Sequence, residues 1–146
     1  MTTAPLMIVD DSDDDYEVIV RILKKGLGMT NDIVRFDNGA DALKYLNRQA
    51  PFEDAAETPR PCVILLDLNM PGMNGHQVLT VLKGDADTRM IPVVVLTTSD
   101  NEQDIDESYA RGANTFVVKP ITREDLLQSM GALKHFWLDT AKLPAL

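Results

Sequence analysis

The sequence predicts a doubly wound α/β domain, a five-stranded parallel sheet with five helices divided between its two faces. Three observations carry this. Short apolar runs alternate five times with helical periodicities. Two of those runs, residues 63–66 and 91–96, are apolar on both pleat faces, as strands covered from both sides must be. Several runs also end on polar chemistry: Asp10 and Asp11 after the first, Asp67 after the third, Thr97 after the fourth, Lys119 after the fifth. In an open α/β sheet, ligands bind outside the carboxyl ends of the strands.

Taken in order, residues 6–9 (Leu, Met, Ile, Val) form the first strand. From Asp13 the period changes, and Ile19, Ile22, Leu23 and Leu27 fall on one helical face. Asp13, Asp14 and Asp15 occupy the first turn, where the helix dipole favours negative charge, and that accounts for all three. Residues 32–36 are weakly apolar, an edge strand. Asn38 caps the next helix, with Asp41 in its first turn and Ala42, Leu43 and Leu46 facing inward. Residues 47–61 carry Pro51, Pro59 and Pro61 and no period. This long connection runs to a strand start, at the sheet edge opposite Asp67, as a partner contact or a tolerated insertion.

The strand at 63–66 leads to Asp67, then to a break at Met70, Pro71 and Gly72 and a second turn at Asn74 and Gly75. Val78, Leu79 and Leu82 define the third helix. After residues 91–96, Asp100 is placed to cap a fourth helix over residues 101–111, with Gly112 just past its end. That helix is nearly all polar, with Ile105 and Tyr109 as its main anchors, so it is expected to be loosely held. Residues 115–118 form the last strand. Thr122, with Asp125 at the third helical position, opens a fifth helix whose apolar face is Leu126, Leu127, Met130 and Leu133. A tail from Phe136 follows, with Leu143 and Leu146 near its end. His76 and His135 are expected at the surface.

The composition excludes several classes. The chain has 146 residues, enough for one domain with a real core. A net charge of −9 argues against nucleic acid, whose binders need clustered Lys and Arg. The single cysteine, Cys62, opens an apolar strand and reads as a small buried hydrophobe. No Lys or Arg precedes Arg21, and no apolar run approaches the ~18 residues of a membrane span. No membrane partner and a cytoplasmic location are therefore expected. An EF-hand over Asp11, Asp13 and Asp15 fails, because Tyr16 stands where Gly is required and Ile22 where Glu is required.

A parallel sheet gathers Asp10, Asp11, Asp67, Thr97 and Lys119 at one edge. Asp67 alone would serve equally well as a turn starter; its company argues for chemistry. Three carboxylates so close require a cation to stay ionised. A hard ion such as Mg²⁺ uses a few carboxylates and keeps several waters. With a Lys ammonium and a Thr hydroxyl, it supplies what a transferring phosphoryl group needs. The carboxylate not fully committed to the metal is then the nucleophile.

The pattern of Asp10 and Asp11, Asp67 with Met70, Pro71 and Gly72, Thr97, and Lys119 with Pro120 resembles the receiver domain of two-component response regulators. The resemblance runs from Leu6 to about Phe136. It implies a flavodoxin-like (CheY-like) fold with strand order 2-1-3-4-5, an order the chemotaxis receiver exemplifies. It implies a receiver domain over residues 1–136 and a C-terminal extension over 137–146. By resemblance, Asp67 accepts a phosphoryl group from a histidine kinase. Asp11, Asp67 and the backbone carbonyl of Asn69 bind Mg²⁺ or Mn²⁺, with Asp10 assisting through water. Lys119 pairs with a phosphoryl oxygen, Thr97 swings to bond another, and Phe116 moves with it as the switch aromatic. Phe in place of the family's frequent Tyr removes any hydrogen bond from that ring. The protein is then a phospho-accepting signalling protein and not an enzyme acting on outside substrates.

The 47–61 insertion, the lack of an output domain and the ending from Phe136 resemble, more narrowly, the single-domain regulators that partner phytochromes. That subgroup tends to dimerise through the fourth helix, fifth strand and fifth helix. It implies a homodimer face that includes Ile105, Tyr109, Phe136, Trp137 and Leu138, or else a tail folded back on its own domain. Three rivals remain. A flavin mononucleotide protein needs a phosphate-cradling loop where Asp10, Asp11, Ser12 and Asp13 stand. An aspartyl phosphatase or phosphotransferase wants a general acid at Asn69. A receiver-like module that binds partners without phosphate has no reason to keep all the acidic residues and the Lys.

Overall fold

The structure is a computed structural model that describes residues 2–145. Five parallel strands form one sheet in the order β2-β1-β3-β4-β5. The strands are β1 (Leu6–Val9), β2 (Ile33–Phe36), β3 (Val63–Leu66), β4 (Val93–Thr97) and β5 (Thr115–Val118). The helices are α1 (Asp13–Arg21), α2 (Gly39–Leu46), α3 (Gly75–Gly84), α4 (Glu102–Ala110) and α5 (Arg123–Leu133). β1, β3 and β4 are wholly buried, whereas the edge strand β2 is half-buried and β5 nearly so. That difference is why β2 reads as weakly apolar.

Alternation along the strands divides the core in two. Met7, Val9, Ile64, Leu66, Val93 and Val95 point to one face, where Leu43, Leu46, Val78, Leu79 and Leu82 of α2 and α3 cover them. Leu6, Ile8, Val63, Leu65, Val94 and Leu96 point to the other, against Ile19, Met130 and Leu133 of α1 and α5. Each such side chain contributes roughly 1.5–3 kcal/mol when fully buried. Cys62 is buried and free, as expected.

The helix starts are set by side-chain caps, each worth ~1 kcal/mol. Asn38 accepts from the Asp41 amide at 2.8 Å and Thr122 from the Asp125 amide at 3.2 Å, as the sequence predicts. Asn74 and Gln77 form a reciprocal capping box at α3. The α4 cap is Asn101 and not Asp100; both residue types cap well, and Asn101 is the one whose oxygen reaches the Gln103 and Asp104 amides. The α4 anchors also differ. Ile105 is half-buried, Tyr109 is 49% exposed, and Ser108 is the residue that is fully buried. On α5, Leu127 lies 41% exposed, off the inner face.

Residues 47–61 extend beyond the expected edge. Phe52 packs edge-to-face with Phe36 at the end of β2 and with Tyr45 of α2, with centroids 5.7 and 5.5 Å apart. The Tyr45 hydroxyl donates to the Pro59 carbonyl at 2.7 Å.

Past Leu133 the helical backbone continues through Thr140 in a wider, i→i+5 pattern, closed by the Ala141 amide on the Phe136 carbonyl at 2.7 Å. The widening slows the rotation per residue and brings Leu138 beneath the domain. Leu138 is 2% exposed in the α1–α5 core, so it is a core residue and not an interface residue. Trp137 and Leu143 pack partly against the same cluster, while Phe136 is 53% exposed. Leu146 lies outside the described residues. Among the described residues, no helix is long and apolar enough to cross a membrane. Leu138→Ala should lower unfolding free energy by about 2–5 kcal/mol, and Phe136→Ala should change it by only ~0.5 kcal/mol. Urea melts of the two variants check this.

Candidate functional site

Strand register builds the site. Val9 pairs with Leu66, so the next residues along, Asp10 and Asp67, emerge side by side from neighbouring strands. The Asp67 amide donates to the Val9 carbonyl at 3.0 Å, and the Asp10 amide to Phe36 at 3.0 Å. On the other flank, the Lys119 amide donates to the Thr97 carbonyl at 2.6 Å, joining the ends of β4 and β5. The structure thus gathers Asp10, Asp11, Asp67, Thr97 and Lys119 at one carboxyl edge, as the sequence predicts.

The geometry centres on the Lys119 ammonium. It bonds Asp10 Oδ2 at 2.7 Å, Asp15 Oδ2 at 2.9 Å and Asp67 Oδ2 at 3.4 Å. Asp10 and Asp67 are buried and Asp11 is exposed; carboxylate oxygens of all three lie within 4.8 Å of one another. Burial pushes the Asp10 carboxyl up from its usual range, opposed by bonds from Lys119 and from the Ser12 amide at 2.9 Å. Burial disfavours the Lys119 ammonium, yet its bonds to Asp10 and Asp15 and the charges of Asp67 and Asp10 outweigh that. Its pKa is held above the ordinary lysine value.

Asp10, Asp15 and Asp67 thus bond one ammonium, with Asp11 beside Asp10 and Asp67, and the local charge remains negative. An all-oxygen set with surplus negative charge suits a hard divalent cation. The Asn69 amide approaches Asp67 Oδ1 at 3.4 Å, and Asn69 itself is exposed beside the cluster. Thr97 is fully buried at the end of β4, its hydroxyl oxygen accepting from the Ser99 amide at 3.4 Å. Phe116 is half-buried on β5, and its amide donates to the Tyr109 hydroxyl at 3.1 Å.

Two features differ from the sequence reading. The acidic turn of α1 does more than answer the helix dipole. Asp15 bonds Lys119, and Asp13 pairs with Arg35 at 2.7 Å while that guanidinium also lies over the Tyr16 ring. The only signal for Asp15 was that α1 begins at the same sheet edge as Lys119. His76 is also not a surface residue. It is buried between α3 and α4, with Nε2 3.1 Å from Asp104 Oδ1 and 3.7 Å from Glu107 Oε2. Ser99 donates to Asp104 at 2.6 Å, and this bond with that from His76 holds the Asp104 carboxyl below its usual range.

Gly75 fixes how closely α3 approaches the site. A β-carbon there would lie 2.3 Å from the Asp67 carbonyl oxygen and 2.7 Å from Leu68 Cα, both backbone atoms.

A doubly wound sheet whose switch-point edge carries an acidic cluster and one lysine defines a receiver-type domain. The response regulator receiver domain family matches residues 6–131, and the chain belongs to that family. Response regulator Rcp1 of Synechocystis sp. is 36% identical over 140 residues, spanning 96% of this chain and 92% of that relative. Among solved structures, the phosphorylated cyanobacterial phytochrome response regulator RcpA superposes with a TM-score of 0.90 at 35% identity. That match covers 99% of this chain and 100% of the other. The Mn²⁺-bound form of Rcp1 gives 0.88 at 36% identity, over 97% and 99% of the two chains.

Gly75→Ala should cost about 1–3 kcal/mol, since a rigid backbone cannot yield as a side-chain tip would. Denaturant titration gives the cost, and amide shifts at residues 67–75 should locate the displacement.

Proposed function

We propose that this chain accepts a phosphoryl group on Asp67 from a histidine kinase, with a divalent cation in the acidic cluster, and signals by a change at the α4-β5-α5 face. The observation that carries this is the buried Asp67 carboxylate, set in the acidic cluster with the Lys119 ammonium 3.4 Å away. An Asp67 oxygen attacks the phosphorus of a phosphohistidine. The new O–P bond forms as the P–N bond breaks, and the electron pair leaves with the imidazole. Asp11, Asp67 and the Asn69 carbonyl would hold Mg²⁺ or Mn²⁺, with Asp10 assisting through water. The cation, when bound, neutralises carboxylates and phosphoryl oxygens together.

Lys119 would then bond one phosphoryl oxygen. The Thr97 hydroxyl has only a long bond from the Ser99 amide to give up, which supports its turning to bond another. Motion of Thr97 opens space for Phe116, and β5 carries the change to Tyr109 of α4. A phytochrome as the cognate kinase is supported by the names of the relatives above.

The chemistry is tested with a small acyl phosphate and Mg²⁺, read by intact mass. The wild type should gain one phosphoryl group, and Asp67→Asn and Asp11→Ala should gain none. An undiminished gain in Asp67→Asn removes Asp67 from the role.

We also propose a homodimer on the α4-β5-α5 face and the C-terminal segment. Tyr109, Val118 and Phe136 are all exposed there, more apolar surface than a solvated face needs. Ile105 and Trp137 would border that face, and Leu138 supports it from the core. In sedimentation velocity, Phe136→Ala should weaken the dimer by ~2 kcal/mol or more. A wild type that stays monomeric with and without phosphoryl would end the dimer reading.

A further inference from the structure

We infer that Asp15 is a positioning residue that holds the Lys119 ammonium in the unphosphorylated protein and competes with the incoming phosphoryl group for it. The inference rests on the reading that Asp67 carries the phosphoryl group. An ammonium has three N–H donors. Those of Lys119 are directed at three carboxylates, Asp10 at 2.7 Å, Asp15 at 2.9 Å and Asp67 at 3.4 Å. The bond to Asp67 is the longest, so to bond a phosphoryl oxygen there the ammonium shifts toward Asp67 and gives up part of its hold on the other two.

The three partners are not equally easy to release. Asp67 is the residue modified. Asp10 is 2% exposed, and its second oxygen is already held by the Ser12 amide, so losing Lys119 would leave a buried charge uncompensated. Asp15 hangs from the first turn of α1 with its side chain 45% exposed. Its carboxylate rotates into water and is rehydrated at once, so Asp15 is the partner exchanged. Until then its charge stabilises Lys119 in the resting geometry, and afterwards it stands close to a phosphoryl group of the same sign. Both effects favour the unphosphorylated state.

Beryllofluoride with Mg²⁺, a stand-in for the phosphoryl group on Asp, tests this by titration calorimetry on the whole chain. Asp15→Asn should bind it about 2–5-fold more tightly, the scale set by a partly exposed ion pair. Asp15→Glu, which restores the charge within reach of Lys119, should return to near the wild-type affinity. Asp14→Asn is the control, because it removes the same charge from the same helix turn and Asp14 has no bond to Lys119. It should bind as the wild type does, with thermal melts confirming that every variant is folded.

Equal tightening in Asp14→Asn would assign the effect to the helix end and overturn the proposal. Unchanged or weaker binding in Asp15→Asn would overturn it too, as would Asp15→Glu binding as tightly as Asp15→Asn. If the wild type binds beryllofluoride and Asp15→Asn matches it, the role of Asp67 stands and that of Asp15 falls. If the wild type does not bind at all, both fall.

Discussion

The site depends on a single cation bonded to three carboxylates. Lys119, just past β5, bonds Asp10 after the end of β1, Asp67 after the end of β3 and Asp15 in the first turn of α1, so it ties together two strand ends and a helix start that no local sequence links. Burying an ammonium is costly unless it is paired, and burying the facing carboxylates is costly for the same reason. Each group is tolerable in the interior only because the others are there. The cluster remains negative with Lys119 in place, so it is stable enough to fold yet still attracts positive charge.

The scaffold beneath is built so that this cluster has no freedom to drift. β1, β3 and β4 have almost no exposed surface, and a one-residue slip would exchange their two faces and misfit the packed side chains on both sides. Asp10 and Asp67 inherit that precision because they follow the last paired residues. Gly75 extends it to α3, whose capping box at Asn74 and Gln77 holds the helix end where only a glycine fits against the Asp67 backbone.

What the sequence made legible follows the same physics. Strands buried on both faces leave continuous apolar runs, and their carboxyl ends can be read directly, which is how Asp10, Asp11, Asp67, Thr97 and Lys119 were found. Thr122 was legible as a cap because it stands alone before an apolar period; Asp37 with Asn38, and Asp100 with Asn101, are adjacent pairs of capping residues, and only the backbone path decides within each pair. Asp15 was hidden because an acidic first turn already has a local explanation, while its partner lies at Lys119, far along the chain. His76 falls off the apolar stripe of α3, so it reads as exposed until α4 is seen to cover it. Leu138 was misplaced because its position depends on the wider backbone turns after Leu133, and a regular helical period does not anticipate them.

The way α4 is attached bears on how the edge could communicate with the rest of the domain. Its apolar anchoring is slight, Ile105 half-buried and Tyr109 half-exposed. It is held instead by directional bonds: Ser99 and His76 to Asp104, Arg111 to Glu107 and across to the His76 carbonyl and the Thr80 hydroxyl, and the Tyr109 hydroxyl to β5. An apolar contact weakens gradually as surfaces slide, but a hydrogen bond of this kind, worth roughly 0.5–3 kcal/mol net, is either made or lost over a short displacement. A helix held this way has few intermediate positions, so a small change at its start is resolved into one arrangement or another. Ser99, two residues beyond Thr97, belongs to both ends of that path. Its amide bonds the Thr97 hydroxyl and its own hydroxyl bonds Asp104, so a movement of Thr97 reaches the α4 network through a single residue.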